Sequence, residues 1–244
     1  MIALGRRIYG LGAVALGLVG LAWGDFALQW QPVPAGVPHR MILAYAVGAV
    51  LALAGVATLG RRTAALGAAA LKVLYMLGVV LLHVPRVIAH PFSFTPWGGI
   101  GEQLALAAAG LVAYASVSGG RSRPIARIGR LVFGFCLLIF GLAHFLYLDF
   151  TASMVPSYIP PGRMFWAVAT GIAHVAAGVA ILTGRQARLA ATLLTGMFAA
   201  FSILVHAPLL LADPRSHLNW VMNAMNLALT GAAWVVADSL GRRR

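Results

Sequence analysis

The sequence predicts an all-α integral membrane protein, with eight transmembrane helices forming two parallel-repeat four-helix bundles and both termini cytoplasmic. Three observations carry this reading. Apolar residues make up 61% of the 244 positions and charged residues 9%, against roughly 45–50% and about 25% in soluble domains. The apolar residues fall in runs of about 20, the length that crosses a ~30 Å hydrocarbon core. The chain also repeats itself at a fixed spacing.

The apolar runs place spans at 8–28, 41–59, 64–84, 100–117, 131–150, 164–183, 189–211 and 218–238, joined by short connections carrying Pro, Gly or Arg. The first run follows Arg6 and Arg7 and has the look of a secretory signal. A similar segment recurs in mid-chain at 130–150, which favours a membrane helix instead. With 18 basic and 5 acidic side chains, a soluble fold of this size could not cover its surface. The lone Cys136 excludes internal disulfides, CxxC redox pairs and cysteine-ligated clusters.

Direction follows from where the basic residues lie. Arg6, Arg7, Arg61, Arg62, Arg121, Arg123, Arg127, Arg130, Arg185, Arg188 and Arg242 to Arg244 fall on one side of the spans. Only Arg40, Arg86, Arg163 and Arg215 fall on the other, with Lys72 inside a span. This asymmetry sets both termini in the cytoplasm, and the chain is expected to be a multi-pass protein of the bacterial inner (plasma) membrane. The positive charge then reports topology and contact with anionic membrane lipid, not nucleic acid.

The repeat is visible in rare residues. At an offset of 123, Arg40 matches Arg163, Gly48 matches Gly171, Gly55 matches Gly178, His83 matches His206, Pro85 matches Pro208, Pro91 matches Pro214 and Trp97 matches Trp220. At an offset of 124, Gly10 matches Gly134, Gly17 matches Gly141 and Asp25 matches Asp149. The units are 1–120 and 121–244. Each has an even number of spans, so both enter from the same side and are parallel repeats. The recurring glycines lie on single helix faces, where small residues permit close backbone approach.

One unit, with Arg130, Gly134 and Gly141 on its first helix and the Pro156…Pro160-Pro161 loop, resembles the DoxX/DoxD-like membrane proteins. The run Gly178-x3-Leu182-x-Gly184-x3-Arg188-x-Ala190-Ala191 carries the same resemblance, once per repeat. That family is generally a single four-helix unit, so two units in one chain is a departure. The resemblance implies a membrane partner of redox enzymes, in some members the quinone-facing part of a sulfur-compound oxidoreductase; it transfers no catalytic residue set.

Polar groups within spans are costly and so point to function. His144, His174 and His206 come from three spans of the second unit, in the outer half of one bundle. Asn219, Asn223 and Asn226 share one face of the eighth span. In the first unit the matching positions are Gly20, Leu51, His83, Pro96, Ile100 and Gln103, so a single site would lie in the second bundle. A quinone head needs hydrogen-bond partners for its oxygens and protons on reduction. Histidine and asparagine supply the former, and Asp149 is placed as proton relay and catalytic group. Phe145, Phe165, Trp166 and Phe201 are candidates to flank the ring. His83 and His206, each two residues before a proline in its unit, also read as fold elements.

Haem b between His144 and His206 is an alternative cofactor, and a metal on the three histidines a further one. Glu102 is read as the start of the fourth span, stabilised by the helix dipole. The apolar stretch His90–Trp97 is read as a surface loop. The sequence therefore predicts a membrane-embedded, quinone-interacting subunit of a redox system, receiving electrons from a partner protein and belonging to a quinone-dependent oxidoreductase. The alternative is a non-catalytic transporter of a small solute or lipid, or an anchor for a periplasmic partner.

Overall fold

The computed structural model describes residues 4–118 and 122–241. Arg121, Arg242, Arg243, Arg244 and the boundary between the two units lie outside the described residues. Among the described residues the chain is helical, with no strand. Eight helices of the described residues are long and apolar enough to cross a membrane: α1 (Leu4–Trp23), α2 (Arg40–Leu59), α3 (Ala64–Ala89), α4 (Phe94–Val117), α5 (Ser122–Leu146), α6 (Arg163–Thr183), α7 (Ala187–Ala212) and α8 (His217–Gly241).

Several boundaries differ from the sequence expectation for local reasons. The first helix stops at Trp23, because Gly24 adopts φ +59, a left-handed conformation open to glycine. The fourth starts at Phe94, so the stretch expected as a surface loop supplies its first turn. There the Trp97 indole donates to the Pro91 carbonyl at 3.1 Å. The same clasp, Trp Nε1 to the proline carbonyl six residues back, opens α6 (Trp166 to Pro160, 2.9 Å) and α8 (Trp220 to Pro214, 2.9 Å). The fifth helix stops at Leu146, and the short helix Leu148–Met154 follows.

Both α3 and α7 are interrupted by a π-helical turn, Val79–His83 and Ser202–His206. Proline explains the position of each. Pro85 and Pro208 lack an N–H, and their rings crowd the carbonyl four residues earlier, which belongs to Leu81 or Leu204 within the π turn. The helix absorbs this by widening, so that Val84 N–H donates to Val79 and Ala207 N–H to Ser202.

The recurring glycines set the tightest pairs. A Cβ on Gly178 would stand 2.8 Å from the Gly134 carbonyl oxygen, and one on Gly141 2.9 Å from that of Gly171, so α5 and α6 meet backbone to backbone. The same positions of the first unit close α1 on α2, where a Cβ on Gly55 would stand 2.5 Å from the Gly10 carbonyl and one on Gly48 2.9 Å from that of Gly17. Between helices this apolar, such close backbone approach gives extensive van der Waals packing.

Neighbour relations cross the boundary between units. The principal partners of α1 are α2 and α8, and those of α5 are α6 and α4. Helices α4 and α8 touch each other at the centre and are the most buried, whereas α7 is the least. The helices thus form two five-membered rings, α1-α2-α3-α4-α8 and α5-α6-α7-α8-α4, sharing the α4–α8 edge. Two bundles each closed on themselves, as the repeat alone suggests, would instead pair α1 with α4 and α5 with α8. Here α1 reaches α4 through the Tyr9 hydroxyl, which donates to the Leu106 carbonyl at 2.9 Å. The centre is built mainly from small residues, Ala105, Ala107, Ala108 and Ala109 on α4 and Ala224, Ala228, Ala232 and Ala233 on α8.

Candidate functional site

Helices α5 and α6 bring two of the predicted histidines together. The His144 and His174 rings lie 4.7 Å apart, centroid to centroid, tilted at 45°. They meet because Gly171 lets α6 approach the Cβ of His144, where any side chain would collide. His174 is fully buried and His144 half-buried. Each Nδ1 lies 2.8 Å from the carbonyl four residues earlier on its own helix, Phe140 for His144 and Thr170 for His174. A carbonyl can only accept, so Nδ1 carries the proton in both rings, and Nε2 of a neutral imidazole is left as a lone pair.

Aromatic side chains pack around His174. Phe140 meets His174 edge-on at 5.8 Å, Phe198 lies 5.5 Å from it and Phe201 6.5 Å. Of these, only Phe201 was named from sequence. Phe140 and Phe198 were legible only as one helical turn from His144 and Phe201. The other named aromatics lie elsewhere: Phe165 and Trp166 pack on each other at 5.3 Å near the start of α6, and Phe145 is exposed beside Gly171.

His206 belongs to a different constellation. It ends the π turn of α7, and its Nδ1 is buried without a hydrogen-bond partner among the described residues. Asn223 Nδ2 donates to the His206 carbonyl at 2.8 Å and to the Asn219 carbonyl at 3.0 Å. Asn226 Nδ2 donates to the Phe198 carbonyl at 2.8 Å and to Ser202 Oγ at 2.6 Å. The two amides therefore bracket the π turn, one bonding just before it and one at its end. Asn219 donates to the Leu209 carbonyl at 3.0 Å and ties the end of α7 to the start of α8. The asparagine face predicted from spacing exists, but its amides are committed to backbone carbonyls, most of them on α7, and to a serine.

Asp149 is exposed in the first turn of the helix Leu148–Met154, which packs along α6. No hydrogen bond or ion pair among the described residues joins it to the histidine pair. Its counterpart Asp25 makes an ion pair with Arg40 and accepts from the Phe26 N–H at 2.6 Å.

The first unit fills the corresponding region with its own chain. His83 Nε2 donates to the Trp30 carbonyl at 3.1 Å, and Gln103 Nε2 donates to the same oxygen at 2.6 Å. Trp30 is buried in a 3-10 turn between α1 and α2 that packs on α4. Its indole Nε1 is buried, lacks a well-formed hydrogen bond and faces Glu102. Because α4 starts at Phe94, Glu102 sits two turns inside the helix. This corrects its reading as a helix-start carboxylate held by the dipole.

The pair also bears on the cofactor alternatives. Two metal–nitrogen bonds of ~2 Å on opposite sides of a macrocycle hold imidazole centroids further apart than 4.7 Å, so haem does not fit between His144 and His174. Among the described residues, no group of three His, Cys, Asp or Glu side chains has metal-ligand geometry, and His206 does not join the other two histidines in one.

The model of a family described as Domain of unknown function (DUF8561) matches residues 133–237. The matched segment runs from within α5 into α8 and contains His144, Asp149, His174, His206, Asn219, Asn223 and Asn226. No curated protein matches the chain, and no solved structure does.

Proposed function

We propose that this chain is the membrane-embedded, quinone-interacting subunit of a redox system in the bacterial inner membrane. In this reading it consists of two parallel repeats with both termini cytoplasmic and takes electrons from a partner protein. The observation that carries the reading is the His144–His174 pair within the aromatic shell of Phe140, Phe198 and Phe201. Aromatic and aliphatic walls with a few convergent polar groups suit a flat apolar ring with polar edges. Imidazoles with free Nε2 atoms accept hydrogen bonds and protons from the hydroxylated form of such a ring. The DoxX/DoxD resemblance points the same way.

The pocket in this reading is His144 and His174 from α5 and α6. Asn219, Asn223 and Asn226 act as its scaffold by fixing the π turn of α7, and Asp149 serves as an outer proton group reached through water. Native mass spectrometry of the full chain, extracted gently from its own membranes, tests the proposal. A retained quinone, lost in His144→Ala and His174→Ala, is the expected result. Retention of phospholipid alone would overturn it.

The π turns in α3 and α7 favour a second reading, a non-catalytic transporter of a small solute or lipid. Interrupted helices recur at transport sites, and α7 is the least buried helix. In that case the ligand would sit between α7 and its neighbours, and the His144 and His174 variants would retain it.

A further inference from the structure

We infer that the His144–His174 site selects the hydroxylated, reduced form of its ring ligand, a quinol, over the quinone. This rests on the quinone-site reading above and deepens it. The argument is one of donors and acceptors. A quinone presents two carbonyl oxygens, which only accept hydrogen bonds; a quinol presents two hydroxyls, which donate. Each imidazole at the site has its Nδ1 proton fixed 2.8 Å from a carbonyl of its own helix. Those carbonyls belong to continuous α-helix, so the rings cannot turn over without leaving Nδ1 unbonded in an apolar shell. In the neutral state each ring therefore offers the ligand a lone pair at Nε2 and no proton.

A quinol hydroxyl donating to His144 Nε2 makes a satisfied hydrogen bond. A quinone oxygen at the same place would face a second lone pair, and both would be left unsatisfied in a site that contains Phe140, Phe198 and Phe201. His144 is the half-buried member of the pair, so a ring entering from the bilayer meets it first, with the buried His174 behind. The asparagine amides, which would otherwise supply donors, are held by Phe198, Ser202 and His206.

The test compares binding of a decyl-benzoquinone and its quinol, kept reduced anaerobically, to the full chain in nanodiscs, with protein-free nanodiscs as the partition reference. The quinol should bind about tenfold more tightly, the worth of one good hydrogen bond. In His144→Gln, whose amide can donate from the same position, the preference should fall below about threefold. Equal binding, or tighter binding of the quinone, by the unaltered chain overturns the inference and leaves the quinone site standing. Binding of neither form above the reference overturns the quinone reading, and the inference with it. Nitrogen NMR of the unaltered chain gives an independent check. The His144 proton is expected on Nδ1 in the ligand-free protein, and a proton on Nε2 would refute the inference.

Discussion

The imidazole of His83 donates to the carbonyl oxygen of Trp30 at 3.1 Å, whereas the Nδ1 of His206, 123 residues later, is buried with no partner among the described residues. The two histidines end equivalent π turns, each two residues before a proline. What differs is the loop between the first two helices of each unit. In the first unit it inserts Trp30 against α4; in the second it forms a helix that packs along α6. The first unit therefore carries its own occupant, whereas among the described residues no hydrogen bond joins the second unit's histidines to the intervening loop.

Opposite stability effects follow for two chemically identical substitutions. His83→Leu removes a donor from a buried carbonyl that Gln103 still holds, and should cost about 1 kcal/mol. His206→Leu removes a buried nitrogen without a partner and should be neutral or slightly stabilising in the absence of ligand. Thermal unfolding of both variants in one detergent checks this; a loss of equal size in both would show that the His206 ring has a partner after all.

Asn226→Leu should lower stability by about 1–2 kcal/mol, because the buried amide bonds both the Phe198 carbonyl and Ser202 Oγ. The loss should be local as well as global. Hydrogen exchange within residues 198–206 is expected to rise in this variant more than exchange in α5 or α6. Uniform acceleration would mean that the amide does not hold the π turn.

Much of this architecture could be read from residue order. Runs of apolar residues located the eight helices, and the glycines at matched offsets are those that close α1 on α2 and α5 on α6. Their message is local, since each pairs a helix with its sequence neighbour. The pairing of α1 with α8 was hidden, because alanine and glycine faces on α1, α4 and α8 fit one another about equally well and composition does not rank them. The π turns had a signal, His83-x-Pro85 and His206-x-Pro208, which read as fold elements without showing that the helix would widen. Depth along the helix suggested His144 with His206. The structure brings His144 to His174, because contact depends on which faces Gly171 allows to approach.

Lys72 shows how a charge within a long apolar helix is accommodated. Its Nζ lies 4.8 Å from the centre of the Tyr114 ring, an attraction worth about 0.5–2 kcal/mol. Tyr114→Leu should therefore destabilise by about 0.5–1 kcal/mol more than Tyr114→Phe, which keeps the ring face. Lys72→Met should abolish that difference. A double-mutant cycle by chemical denaturation measures it, and a coupling near zero would remove the contact from the account.

The crossed pairing makes the two units one body. Gly231 on α8 lies directly against the backbone of Tyr9 on α1, and Gly12 lies against the backbone of Ala228, with no room for a Cβ at either place. Backbone cannot move aside as a flexible side chain can, so Gly231→Leu must separate α1 from α8. A protease site inserted between Ser118 and Ser122 of the full chain makes the consequence measurable. After cleavage the two halves should still elute together in mild detergent, since α1–α8, α4–α5 and α4–α8 all join them. In the Gly231→Leu background the cleaved halves should part, or do so at lower detergent concentration, while α5–α6 packing stays intact because its glycines are untouched. Bundles closed on themselves predict the reverse, with halves that separate readily before any substitution and a Gly231 variant no different from its parent.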